Sequence, residues 1–154
     1  MIQRVQSLYL LLGVAALALM ILAPVATLNI GSIGYTINAL GTDSSAADFI
    51  DHDHAGGILF LGALALTMAV MLTNIFLFSN RKRQLVIGRL TYLLLAGVVV
   101  TMVWYINGFE NDTDAGIEKR IGYFMPIAAL AFNFLAIWSI SKDEKLVRSV
   151  DRLR

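Results

Sequence analysis

The chain has 154 residues, a length suited to one domain, of which 58% are hydrophobic and 15% charged, with a net charge of +1. A water-soluble domain carries roughly 25% charged and about 45–50% apolar residues, so this chain has too little polar surface to cover itself in water, and its near-zero charge gives no pull towards nucleic acid. It has no cysteine, which removes disulfides, thiolate metal sites, iron–sulfur clusters and cysteine nucleophiles.

In chain order, four apolar runs reach the about 20 residues that a bilayer-crossing helix needs: residues 7–28, 56–79, 85–107 and 121–140. The first follows Arg4 and is longer than the ~7–15-residue core of a signal peptide. Ala23-Pro24-Val25-Ala26 also makes a poor cleavage site, so this run is read as a retained helix. Residues 27–38 then set turn-forming glycines between β-favouring pieces, and a small β-hairpin is expected there. The small, polar stretch 41–47 is expected to be mobile. The loop between the second and third runs is short, so these two form a tight helical hairpin. Pro24 and Pro126 fall near the same end of their runs. In the tail, Leu146, Val150 and Leu153 fall on one helical face, with Arg148 and Arg152 opposite. Glu144 and Arg148 have the spacing of a stabilising pair. A helix that extends the fourth run and rests on the membrane surface is expected, or a docking surface for a cytoplasmic partner. No internal repeat relates the two halves, which gives no support to an inverted-repeat transporter plan. The expected fold is an all-α membrane protein, one domain over residues 1–154. It is a four-transmembrane-helix bundle with a small extracytoplasmic β-hairpin and a C-terminal amphipathic helix in a cytoplasmic tail, 141–154.

Lysine and arginine set the direction, because positive charge stays on the cytoplasmic side. Arg4, Arg81, Lys82, Arg83, Arg89, Lys142, Lys145, Arg148, Arg152 and Arg154 all fall at one end of the runs. Only Lys119 and Arg120 fall at the other, so both termini are expected inside. Asp43, Asp48, Asp51, Asp53, Glu110, Asp112, Asp114 and Glu118 would all lie outside. Trp104, Tyr105, Tyr123 and Phe124 are expected at the outer interface, and Tyr9, Phe76, Phe78 and Trp138 at the inner one.

Candidate chemistry is sparse. The runs contain no carboxylate, histidine or lysine, which argues against proton-coupled transport or an intramembrane aspartyl protease. Asn74 and Asn133 are the amides inside the runs, away from their last residues, and each needs a partner in hydrocarbon. They are read as interhelical glue, with a polar path for a small substrate as the alternative. Gly62, Ala65, Ala69, Gly88 and Gly97 are small enough for close helix approach. Asp51-His52-Asp53-His54 offers imidazole and carboxylate ligands for a metal such as zinc, nickel or copper, against the plainer reading of a polar helix start. The acidic stretch 110–118 is not an EF-hand, because its glycine is misplaced and its terminal glutamate is missing. No Gly-x-Ser-x-Gly elbow and no glycine-rich phosphate loop occurs.

The start, Met1-Ile2-Gln3-Arg4-Val5-Gln6-Ser7-Leu8-Tyr9-Leu10-Leu11-Leu12, and the end, from Lys142-Asp143-Glu144-Lys145 to Arg152-Leu153-Arg154, resemble those of a family of small four-helix membrane proteins of unknown function from Bacteroidetes. The inner piece Asn80-Arg81-Lys82-Arg83-Gln84-Leu85 fits the same family. The resemblance implies a bacterial cytoplasmic membrane and brings no catalytic residues and no cofactor. It draws attention to the cytoplasmic face, where Arg81, Lys82, Arg83, Lys145, Arg148 and Arg152 would meet a protein partner or lipid. The expected function is therefore a non-enzymatic accessory, assembly or scaffold subunit, with membrane lipids and a protein partner or further copies of itself around it. The alternatives are an oligomeric small-molecule or ion transporter using Asn74 and Asn133, and an extracytoplasmic metal-binding protein using Asp51, His52, Asp53 and His54.

Overall fold

The computed structural model describes residues 3–30, 33–44, 54–78, 80–113 and 116–151. The elements run α1 (Gln3–Leu22), β1 (Ala26–Ile30), β2 (Ile33–Asn38), β3 (Gly41–Ser44), α2 (His54–Phe76), α3 (Arg81–Thr113), β4 (Gly116–Lys119) and α4 (Ile121–Asp151). All four helices are long and apolar enough to cross a membrane. They pack in an up-down-up-down ring in which α1 touches α2 and α4, and α3 touches α2 and α4. Short connections favour such sequential, antiparallel neighbours.

Each helix buries one narrow seam. In α4 the seam is Gly122, Pro126, Ala129, Asn133, Ala136, Ile140 and Asp143, spaced alternately by four and three, with Ser139 buried beside it. In α3 it is Gln84, Gly88, Thr91, Leu95, Val98, Met102 and Tyr105, with the same alternation and Ile106 buried beside it. Gln6, Leu10, Gly13, Leu17 and Met20 repeat it in α1, and Phe60, Leu64, Thr67, Met71 and Asn74 in α2. A 3.5-residue spacing is that of left-handed helix packing. The outward faces are apolar as well: Leu8, Leu11, Ile58, Leu66, Leu93, Val100, Ile127 and Phe134 are all exposed.

Local chemistry sets the helix ends. Pro24 disfavours helical backbone at the residue before it, and the last turn of α1 closes with the Ala23 N–H on the Leu19 carbonyl. The first apolar run is therefore helical only to Leu22, and residues 26–28, expected in the span, belong to β1. Asn80 caps α3, its Oδ1 accepting from the Arg83 N–H at 3.2 Å.

The strands gather at the end of the bundle where α1 finishes and α4 begins. The expected hairpin is β1–β2, joined antiparallel with Ile30 opposite Ile33. It forms the centre of a four-stranded antiparallel sheet of order β3-β2-β1-β4. Residues 41–44, expected to be mobile, pair with β2 as β3, and residues 116–119 pair with β1 as β4. Ala26, Leu28, Tyr35 and Ile37 point to one face and join the helical core. Three backbone bonds tie the sheet to the helices: Val25 N–H to the Ile37 carbonyl, Arg120 N–H to the Val25 carbonyl, and Gly122 N–H to the Pro24 carbonyl.

The tail is helical and extends the fourth run, as expected: α4 runs unbroken to Asp151, and its buried seam extends to Asp143. One further expectation is corrected. Tyr105 does not face outward as an interfacial ring. It is buried and stacked on Phe60, with ring centroids 6.0 Å apart.

Candidate functional site

Polar side chains that fall in phase with the seams are carried into the interior, and they collect towards the end of the bundle opposite the sheet. Asn74 of α2, Gln84 of α3 and Asn133 of α4 are 0%, 2% and 0% exposed. All three meet around Gly88. The Asn133 Nδ2 donates to the Gly88 carbonyl at 3.1 Å, and the Gln84 Nε2 donates to the Asn74 carbonyl at 3.2 Å. A methyl group on Gly88 would lie 3.5 Å from the Asn74 Nδ2 and 2.8 Å from the Ile137 Cγ1. Glycine is thus what lets α4 come close enough for Asn133 to reach the α3 backbone. Four polar atoms in this layer have no protein partner: both ends of the Asn74 amide, the Gln84 Oε1 and the Asn133 Oδ1.

The buried threonines differ, because each satisfies itself. The Thr67 hydroxyl donates to the Ala63 carbonyl at 2.7 Å and the Thr91 hydroxyl to the Ile87 carbonyl at 2.9 Å. Such back-bonds use up the hydroxyl hydrogen within its own helix.

A second polar layer closes the same end, about 10 Å further along at 1.5 Å rise over the seven residues from Gly88 to Arg81. Asp143 is buried, and its carboxylate accepts from the buried Gln6 Nε2, which joins α4 to α1. Arg81 donates to the Asp143 backbone carbonyl at 3.3 Å and so adds α3. At this end lies a cationic rim, where Lys82, Arg83, Lys142 and Lys145 are exposed. Arg89 is exposed further in, next to Gly88 at the level of the amide layer. Lys142 stands over the Trp138 ring at 5.5 Å. The exposed Leu146 and Val147 lie beside these cations on the last described turns of α4.

The sheet end holds two cations, both engaged locally. Arg120 bonds the Glu118 carboxylate at 3.1 Å and the Thr27 hydroxyl at 3.0 Å, and Lys119 lies over the Tyr123 ring at 4.8 Å.

Of the residues singled out in the sequence, Asn74 and Asn133 share one layer but do not bond each other: Asn133 donates to the Gly88 backbone, and the Asn74 side chain has no protein partner. Arg81 is drawn inward, whereas Lys82, Arg83 and Lys145 stay exposed. Arg148 lies on α4 with its side chain outside the described residues, as does the whole of Arg152. Asp51, His52 and Asp53 lie outside the described residues, and of His54 only its place at the start of α2 is described. Among the described residues no three His, Cys, Asp or Glu side chains group as metal ligands. Gln6, Gln84 and Asp143 were missed. The signal that finds them is phase: Gln6, Gln84 and Asp143 each continue the four-three spacing of a seam beyond its apolar part.

Amides hold and orient; they neither attack nor exchange protons near neutral pH. The interior chemistry described is therefore that of hydrogen bonding, and the rim chemistry that of attraction to anions.

A family described as a domain of unknown function, DUF4293, matches residues 2–153, and the chain belongs to that family. No curated protein matches it.

Proposed function

We propose that this member of the DUF4293 family is a non-enzymatic, multi-pass protein of a bacterial cytoplasmic membrane, with both termini in the cytoplasm. It serves as an accessory, assembly or scaffold subunit that engages an acidic protein partner through its cytoplasmic face. The observation that carries this reading is the cationic rim: Lys82, Arg83, Lys142 and Lys145 exposed at one end of the bundle, with Leu146 and Val147 beside them. Cations gathered at one end are the signature of a cytoplasmic face. The two at the other end support that direction too, since Arg120 is paired with Glu118 and Lys119 is held on an aromatic ring.

Lipid covering is favoured by the apolar outward faces of all four helices. A protein partner is favoured over lipid headgroups at the rim because Asp143, Glu144 and Asp151 interrupt the basic residues of the tail. Uninterrupted clusters are what bind anionic headgroups strongly. A further support is α4 itself: at 31 residues it exceeds the about 20 needed to span, which leaves its last turns to project.

The test is crosslinking in native membranes followed by isolation in mild detergent. A stoichiometric partner joined at Lys82, Lys142 or Lys145 is expected. It should be lost when Lys82→Glu, Arg83→Glu and Lys145→Glu are combined in a chain that still inserts. A homo-oligomer with no partner, or a partner indifferent to the three reversals, would overturn the reading and bring transport forward.

A further inference from the structure

We infer that the amide layer of Asn74, Gln84 and Asn133 is a binding site inside the bundle for a small neutral hydrogen-bond donor, of which water is the simplest.

The inference rests on four buried polar atoms without a protein partner. Gln84 and Asn133 each donate through nitrogen to a backbone carbonyl. A carbonyl cannot donate, so the orientation of both amides is fixed, and Gln84 Oε1 and Asn133 Oδ1 are the ends left open. Asn74 adds an open oxygen and an open NH2. The layer thus has three oxygens without donors and one amino group without acceptors. Hydrogens are not lacking in number: the Asn74 amino group carries two, and Gln84 and Asn133 each keep a second N–H. It is placement that leaves the four atoms out of hydrogen-bond reach of one another, and turning the Asn74 amide only exchanges its two open ends. A small ligand that donates to the oxygens and accepts from an amino group bridges what the side chains do not.

Charge selects the class of ligand. The open atoms belong to neutral amides, and the buried acid Asp143 lies a layer away, already accepting from Gln6. A divalent cation would enter low-dielectric surroundings without a countercharge, which is prohibitive. A neutral donor needs none. Buried waters are found on such sites, each typically making about three bonds to groups that would otherwise be unsatisfied. The site needs no partner at the rim, so its test and the crosslinking test fail independently.

The first measurement is made on the full wild-type chain in lipid bilayers, by solid-state NMR transfer of magnetisation from water to side-chain amides. Transfer to the Asn74 amino group is expected at mixing times like those of the exposed Asn80 and Asn107, and well before the backbone amide of buried Leu95. Transfer to Asn74 no faster than to Leu95 overturns the inference. The second measurement is the sign of a stability change. In a dry layer, Asn74→Leu deletes two orphaned atoms and raises the unfolding temperature. In a hydrated one it deletes a partner of the bound molecule, strands the oxygens of Gln84 and Asn133, and lowers it. A fall is expected, and a rise overturns the inference. Unfolding of the wild type in sodium, potassium or lithium chloride should match that in choline chloride at equal ionic strength. A cation-specific stabilisation overturns the neutral-donor assignment.

Discussion

At Gly88 two requirements meet in one missing methyl group. The α4 side chain Ile137 would lie 2.8 Å from a Cβ there, and the carbonyl of the same residue takes the Asn133 bond. A single interhelical bond of this kind is worth about 0.6 kcal/mol, whereas forcing a methylene into a filled interface costs about 1–3 kcal/mol. Overpacking therefore dominates. Gly88→Ala is expected to lower stability by about 1–3 kcal/mol, measured as the unfolding midpoint in detergent. Gly62 and Gly97 were grouped with Gly88 as sites of close approach, yet nothing lies within 4 Å of a Cβ at either. Gly62→Ala is expected to be neutral or stabilising by roughly 0.5–1 kcal/mol, from helix propensity alone. If Gly62→Ala costs as much as Gly88→Ala, the packing argument fails. Residue type thus identified Gly88 in the sequence but could not separate it from its two counterparts. The apolar face of a membrane-like helix is not confined to one side, so hydrophobicity carries no phase. The phase is written instead in the small and polar residues, Gly122, Ala129, Asn133, Ala136 and Asp143 in α4. Read that way, the Gln84 and Asp143 positions are legible; read as the flanks of apolar runs, they look like interface residues.

Among the elements, the junction of sheet and bundle turns on the start of α4. A Cβ on Gly122 would lie 2.7 Å from the Pro24 carbonyl oxygen and 3.1 Å from that of Ala23. Both are backbone atoms, which cannot rotate aside as a side chain does. The Gly122 N–H also bonds the Pro24 carbonyl. Gly122→Ala should therefore push α4 off the end of α1 and loosen β1 from β4, with a loss near the top of the about 1–3 kcal/mol overpacking range. Arg120→Ala, two residues earlier, removes only exposed contacts to Glu118 and Thr27. It should change stability by less than about 1 kcal/mol. Unfolding midpoints, with hydrogen exchange of the β1 and β4 amides, check both. Equal losses for the two variants would show that the close contact is not what holds the junction. The hairpin β1–β2 was legible because its alternation and its glycines are local. Strands β3 and β4 were not: β3 is four small and polar residues without apolar alternation, although its partner β2 is its neighbour in sequence, and β4 is four residues that pair with β1, distant in sequence. The same limit hid Tyr105. Its position near a helix end suggested an interfacial ring, but the stacking partner Phe60 lies on another helix.

For the molecule as a whole, the two ends of the bundle differ in kind. One is closed by a sheet whose cations, Arg120 and Lys119, are engaged with Glu118 and Tyr123. The other carries two buried polar layers and an exposed cationic rim. Charge asymmetry of this type sets insertion, because lysine and arginine near the ends of spans resist translocation while acidic residues count for little. The chain lacks cysteine, so a single introduced thiol reports its own surroundings without background. Lys82→Cys and Lys145→Cys place that thiol at exposed positions on the rim, and Glu118→Cys at an exposed position on the sheet. In intact cells stripped of any outer permeability barrier, a membrane-impermeant maleimide should label the Glu118→Cys chain at once. The two rim variants should label only after the membrane is opened. The reverse pattern would invert the orientation and take the cationic rim away from cytoplasmic partners. Immediate labelling of all three would remove the membrane reading itself, and with it the explanation for the apolar outward faces. The expected pattern would put the rim, the Gln6–Asp143 layer and the amide layer in sequence inward from the cytoplasm.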